Sequence, residues 1–404
     1  MPNGIRIGRI AGINIYLDWS LSIIFLLLTF SLAMGVFPRW HPDWSPGVSW
    51  GTAVAAATLF LASVFIHELS HALVGRAHGI EIKRITLFIF GGIAQLESEP
   101  KAWRAELWMA IAGPITSLLL GLIFLSLAGL TAGPLEVEPE NPAELFAALS
   151  PLSTLLLWLG PVNIILGLFN LVPGFPLDGG RVLRAIMWGI TGSLRQATRW
   201  ASRAGQAFAW MLIITGFAMI LGFQVPFFGT GLVGGLWLAF IGWFLNNAAL
   251  VSYRQLLVRE VLEDVPVSQI MQTDFIKVTP EMEVSAFVDE HLMRTEQRAF
   301  PVEENNRLAG MICLSDLRKI SREAWTSTTI RDIMTPASEI ALTSPEKDAA
   351  EALFTLAHRN VNQLPVVEKD KICGLIRRED LLKWLSVYGK QHLEELENKQ
   401  TFPG

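Results

Sequence analysis

His67 and His71 flank Glu68-Leu69-Ser70 inside the apolar run WGTAVAAATLFLASVFIHELSHALV, which extends from Trp50 to Val74. Residues four apart on a helix project from the same face. Two imidazole nitrogens at that spacing can bind one Zn²⁺, and Glu68 beside them suits a general base acting on water at the metal. The run is long enough to cross a bilayer core, where ionisable groups are expensive and usually functional. Two histidines leave the metal short of a protein ligand. Asp178 is the candidate third, in NIILGLFNLVPGFPLDGGRVLR between Asn163 and Arg184. Pro173 and Pro176 stop the helix ahead of it, and irregular backbone at membrane depth must be buried in protein or line a cavity. Two histidines and an aspartate with a fourth position open make a catalytic arrangement that suits zinc. The lesser alternative is that Asp178 caps the amphipathic stretch that begins near Gly180. The amide of Asn170 could orient a carbonyl or an oxyanion, or bond a neighbouring helix.

The elements that must hold these residues follow from composition and pattern. The chain has 404 residues, 51% hydrophobic and 17% charged, with a mean hydropathy of +0.40. That is too apolar for an ordinary soluble protein and too polar for a purely membrane one, so two parts are expected, dividing near Tyr253. The net charge of −5, without a basic tail or patch, argues against a nucleic-acid partner. Cys313 and Cys373 have no companion cysteine or histidine cluster and read as small buried side chains. The first apolar run starts near Ile13 and reads as a retained span rather than a cleaved leader. Six spans are predicted, at 15–37, 50–74, 106–132, 145–171, 205–225 and 230–251. Lys and Arg concentrate before the first span and after the second and fourth, so both termini are expected in the cytoplasm, with the metal site in the cytoplasmic half of the bilayer. IEIKRITLFIFGGIAQL, from Ile80 to Leu96, predicts a short β-hairpin or sheet at that rim, close to the metal. Gly113-Pro114-Ile115-Thr116-Ser117 in the third span is a small-residue pattern that allows close helix approach.

FIHELSHAL, the Gly113–Ser117 element and FNLVPGFPLDGGR together resemble the site-2 protease family of intramembrane zinc metalloproteases, over roughly the first half of the chain. The resemblance implies zinc ligands at His67, His71 and Asp178, a general base at Glu68, and an Asn170 that contacts the substrate backbone. It implies transmembrane protein substrates, a lipid bilayer as surroundings, and a multi-pass protein of a prokaryotic cell membrane. A transporter or channel would use the same polar residues as an ion path, but it leaves the spacing of His67, Glu68, His71 and Asp178 unexplained.

The polar part contains an internal repeat offset by about sixty-four residues. Ile270-Met271 recurs as Ile333-Met334, Phe300-Pro301-Val302 as Leu364-Pro365-Val366, Gly310 as Gly374, and Asp316-Leu317 as Asp380-Leu381. This resembles a tandem pair of cystathionine-β-synthase (CBS) domains, which implies one α/β module, possible homodimerisation, and adenine nucleotide (ATP or AMP) as a ligand. Asp316 and Asp380 would accept from ribose hydroxyls. The family's hydroxyl position is Cys313 in the first copy and Arg377 in the second, where Arg377 offers a phosphate contact instead. A purely structural dimerisation module is the alternative. The expected organisation is a six-helix membrane metalloprotease domain with a small rim sheet over 1–255, then the repeats over 265–322 and 328–388 within 265–388, and a charged tail over 389–404.

Overall fold

The computed structural model describes residues 4–89, 91–96, 100–132, 146–226 and 228–401. The chain divides into two units, Met1–Arg254 and Gln255–Gly404.

The first unit opens with an antiparallel hairpin, β1 (Ile5–Ile10) and β2 (Ile13–Leu17). The predicted first span starts at 15, whereas INIYL alternates, is rich in β-branched residues and pairs as a strand. Its helix, α1, covers Leu21–Trp40 with a π-helical stretch at Leu32–Val36. Next comes α2 (Pro46–Ala77), which starts where the Ser45 hydroxyl accepts from the Val48 N–H and Pro46 fills the first turn. The predicted hairpin follows as β3 (Ile82–Phe88) and β4 (Gly91–Leu96). Strand β2 lies parallel to β3, with Ile15 opposite Ile85, and completes a four-stranded sheet in the order β1-β2-β3-β4. One face of the sheet buries Ile13, Ile15, Ile82, Ile85 and Leu87 against Ala72 and Met109. The sheet therefore packs on the helix turn that carries His71.

Three further spanning helices follow: α3 (Trp103–Ala132), α4 (Pro151–Asn170) and, after the short α5 (Asp178–Thr191), α6 (Leu194–Ile220). The last is α7 (Leu232–Leu262). Among the described residues six helices are long and apolar enough to cross a membrane. The acidic stretch between the third and fourth spans lies, from 133 to 145, outside the described residues. Close approach of α3 and α4 involves the Gly113–Ser117 element and extends beyond it: a methyl on Gly167 would lie 3.0 Å from the Pro114 carbonyl oxygen, and one on Gly121 2.8 Å from that of Gly160. Gly113 has a different task, described below.

The loop between α4 and α5 is braced by α6. The Phe175 N–H donates to the Ala201 carbonyl at 3.2 Å, and a methyl on Gly205 would sit 2.2 Å from the Phe175 carbonyl oxygen. Such backbone contact fixes a segment that would otherwise hold unpaired polar groups near the bilayer.

In the second unit each repeat forms an antiparallel pair: β5 (Ala299–Glu304) with β6 (Arg307–Cys313), and β8 (Gln363–Glu368) with β9 (Lys371–Arg377). A two-residue strand, β7 (Thr335–Pro336), adds to β6. The cores are exchanged. Ile330 and Ile333, which lead the second repeat, pack with Phe300, Val302 and Ile312 of the first. Val267 and Ile270, which lead the first, pack with Leu364, Val366 and Ile376 of the second, together with α8 (Ala349–His358). The last helix, α9, runs from Arg378 to Thr401 and takes in the charged tail as far as that residue.

Candidate metal centre

The 3.6-residue period of α2 brings His67 and His71 to one buried face. Asp178 reaches them from the first turn of α5, with Leu177 at the cap position, so it both opens that helix and faces the imidazoles. Its Oδ2 lies 3.2 Å from His67 Nε2 and 3.1 Å from His71 Nε2, and the two Nε2 atoms are 3.2 Å apart. A tetrahedral zinc with Zn–N bonds of about 2.0–2.1 Å spaces its donors about 3.3–3.4 Å apart, which is close to this triangle. Among the described residues, this is the cluster of His, Cys, Asp and Glu whose ligand atoms converge as a metal site requires.

Hydrogen bonding on the far sides of the rings supports the same conclusion. His71 Nδ1 lies 2.6 Å from the Met109 carbonyl oxygen. A carbonyl only accepts, so Nδ1 carries the hydrogen and Nε2 keeps its lone pair. His67 Nδ1 meets the Ser117 hydroxyl at 2.8 Å, and Ser117 is fully buried. His71 Nε2 thus aims a lone pair at the Asp178 carboxylate, a repulsion that a cation between them relieves, and the buried Ser117 hydroxyl orients the His67 ring beside it. The residues present therefore fit zinc.

Gly113 of α3 gives the centre its room. A methyl there would lie 2.1 Å from His71 Nε2 and 2.7 Å from His67 Nε2. Gly92, the second residue of β4, covers Glu68, since a methyl on it would come within 2.3 Å of the Glu68 Cγ. The rim hairpin thus lies directly on the proposed base, nearer than its sequence indicated. Sequence reasoning missed Ser117 and Met109 as supports. Ser117 could have been found from its place on an α3 face, whereas a backbone carbonyl has no signature in residue types. Replacing Ser117 by Ala is expected to weaken zinc binding by about 10–100-fold, the usual cost of losing such an outer support. Competition with a chelator measures it, and an unchanged affinity would mean that Ser117 is packing alone.

Asn170 ends α4, and its amide Nδ2 donates to the Leu166 carbonyl of its own helix at 3.1 Å, rather than across to a neighbouring helix. In the second unit, Asp316 is buried: its Oδ2 accepts from the Cys313 N–H at 2.9 Å and its Oδ1 from Lys319 Nζ at 2.7 Å. Asp380 takes Arg377 in a two-pronged pair, Nε to Oδ2 at 2.9 Å and Nη2 to Oδ1 at 2.8 Å. Each aspartate, in the first turn of the helix that follows its strand pair, also accepts from the backbone N–H three residues back, that of Cys313 for Asp316 and of Arg377 for Asp380. Burial and the Asp316 carboxylate push the Cys313 thiol up from its ordinary value.

The fold and centre define a multi-pass membrane metalloprotease, and comparison with known proteins agrees. The model of peptidase family M50 matches residues 55–212, and the CBS-domain model matches 267–323 and 330–387. Rip3 of Mycobacterium tuberculosis is 33% identical over 390 residues, covering 96% of this chain and 94% of its own. The zinc metalloprotease MJ0392 of Methanocaldococcus jannaschii is 29% identical over 387 residues, 96% of this chain and 97% of its own. The solved site-2 protease from that archaeon is 27% identical, covering 62% of this chain and 95% of its own with a TM-score of 0.39. The chain belongs to peptidase family M50, the site-2 proteases, and carries a tandem pair of CBS domains.

Proposed function

We propose that this zinc metalloprotease cuts peptide bonds within transmembrane segments of other membrane proteins. The observation that carries the reading is the convergence of Asp178 Oδ2 with His67 Nε2 and His71 Nε2, the histidines and the adjacent Glu68 lying on a helix apolar enough to span a bilayer. His67, His71 and Asp178 would hold the metal. When bound, zinc lowers the pKa of water and polarises a carbonyl. Glu68 takes the proton from the attacking water onto its carboxylate and returns it to the departing amine nitrogen. Asn170 would hold the substrate backbone by turning its amide from the Leu166 carbonyl toward the scissile strand.

The carbonyls of a substrate helix are already bonded, so local unwinding must precede cleavage. Strand β4 is the outer strand of the sheet next to Glu68, and an outer strand can pair with an unwound segment through its free backbone groups. Loop charges put both termini and the CBS pair in the cytoplasm, with the cut in the cytoplasmic half of the substrate span. The CBS pair is read as a regulatory module that takes ATP or AMP and can join two chains. Calorimetry on the full chain tests the nucleotide, and absence of heat at millimolar ATP and AMP removes it. Chain mass in detergent tests the dimer.

The deciding experiment is co-expression with a library of single-span proteins, with products sequenced by mass spectrometry. Cuts inside the spans, on the cytoplasmic side and absent with Glu68→Gln, are expected. Cuts only in soluble loops would overturn the intramembrane reading, and cuts in the far half of the span would overturn the orientation.

A further inference from the structure

Four residues of α3 face the metal centre or its supports: Glu106, Met109, Gly113 and Ser117. Their spacing puts them along one face of that helix. Ser117 holds His67, Met109 holds His71, and Gly113 leaves space for both rings. Glu106, one turn below Met109, is fully buried and pairs with Arg184 of α5. Arg184 Nε donates to Glu106 Oε1 at 2.7 Å, and its Nη2 bonds the same oxygen. Arg184 stands six residues after Asp178 on the helix that Asp178 opens. Its guanidinium also lies over the Phe175 ring, 5.3 Å from the centroid, three residues before Asp178. Arg184 therefore grips the chain on both sides of that aspartate.

We propose that Glu106 and Arg184 are a positioning pair that fixes where Asp178 stands against His67 and His71. Each of the three candidate ligands then has its own rung on one face of α3: Ser117, Met109 and, through Arg184, Glu106. A buried ion pair is a weak device for stability, because desolvation offsets most of the attraction. Here the desolvation is incomplete in its return, since Glu106 Oε2 is buried and accepts no hydrogen bond among the described residues. Such a pair does supply direction, and the direction it sets is that of the helix that opens with Asp178.

The inference rests on the reading that His67, His71 and Asp178 hold the metal, and the test separates the two. Zinc affinity of the full chain in detergent, stripped of metal, is measured by chelator competition, with His67→Ala as reference. Glu106→Gln and Arg184→Met should weaken binding about 10–100-fold, and Arg184→Lys, which keeps the charge, should recover most of it. Asp178→Asn should cost much less in an Arg184→Met background than in the wild type, because the aspartate is already out of place there. A merely structural pair would lower the melting temperature but leave the Asp178→Asn penalty at its full size, and that result overturns the proposal. So does zinc affinity within twofold of wild type in both Glu106→Gln and Arg184→Met while His67→Ala loses zinc. If Glu106→Gln fails to fold, the Arg184→Lys and Arg184→Met comparison decides alone. Should His67→Ala bind zinc as the wild type does, the metal reading itself falls, and this inference with it.

Discussion

Glu68→Gln is expected to lower kcat by about 10²–10⁴-fold, the range that positioned acid–base catalysis contributes, while zinc content stays at one per chain. Gln is nearly isosteric with Glu and fits the same space under Gly92. It cannot accept the proton of the attacking water, so chemistry fails while architecture persists. The expected loss corresponds to roughly 3–5 kcal/mol of transition-state stabilisation. Single-turnover cleavage of a reconstituted substrate, with elemental analysis of the same preparation, measures both quantities. Normal turnover would remove Glu68 from its role, and loss of zinc would instead make it a ligand.

The second large effect is expected from the smallest change. Gly113→Ala adds one methyl 2.1 Å from His71 Nε2. In an ordinary helix interior, Gly to Ala stabilises by about 1 kcal/mol. Here the methyl occupies the space into which both imidazoles project, and the rings must leave their present positions. Displacing one or two ligands is expected to cost about 10²–10⁴-fold in zinc affinity, roughly 3–5.5 kcal/mol. The protein should still insert and remain folded, because the helix itself prefers Ala. Zinc loss without loss of folded protein is the signature, and elemental analysis beside a thermal melt reads it. Full zinc occupancy in Gly113→Ala would mean that the metal lies away from this face.

The candidate metal centre was legible because its logic is local or chemical. His67 and His71 stand one helical turn apart with Glu68 beside them, and Asp178 shows through the expense of a carboxylate beside a membrane. The hairpin at Ile82–Leu96 was visible in its alternation and its Gly91-Gly92 turn. Strand β2 was not, because INIYL merges into the apolar run of the first span, and only its pairing with β3 separates them. Gly113 was read as a helix-packing residue for a similar reason. Small residues mark close approach but do not say what approaches, and here it is a pair of imidazoles rather than a helix. Likewise the repeat was plain in the sequence, but the exchange of Ile270 and Ile333 between the two cores was not, since a repeat does not say which copy a segment packs against.

Helix α7 has a consequence for how this protein can be taken apart. The boundary between the two units falls inside that helix, at Arg254 and Gln255. Its final turns supply Val258 and Leu262 to the core that holds Leu364 and Ile376. The CBS pair is therefore finished by residues that precede its first repeat and follow the predicted sixth span. A fragment begun at the sequence boundary near 265 would lack part of its own interior. Grafting the pair onto another protein, or exchanging it between relatives, calls for a junction upstream of Val258, where the transplanted piece keeps its lid.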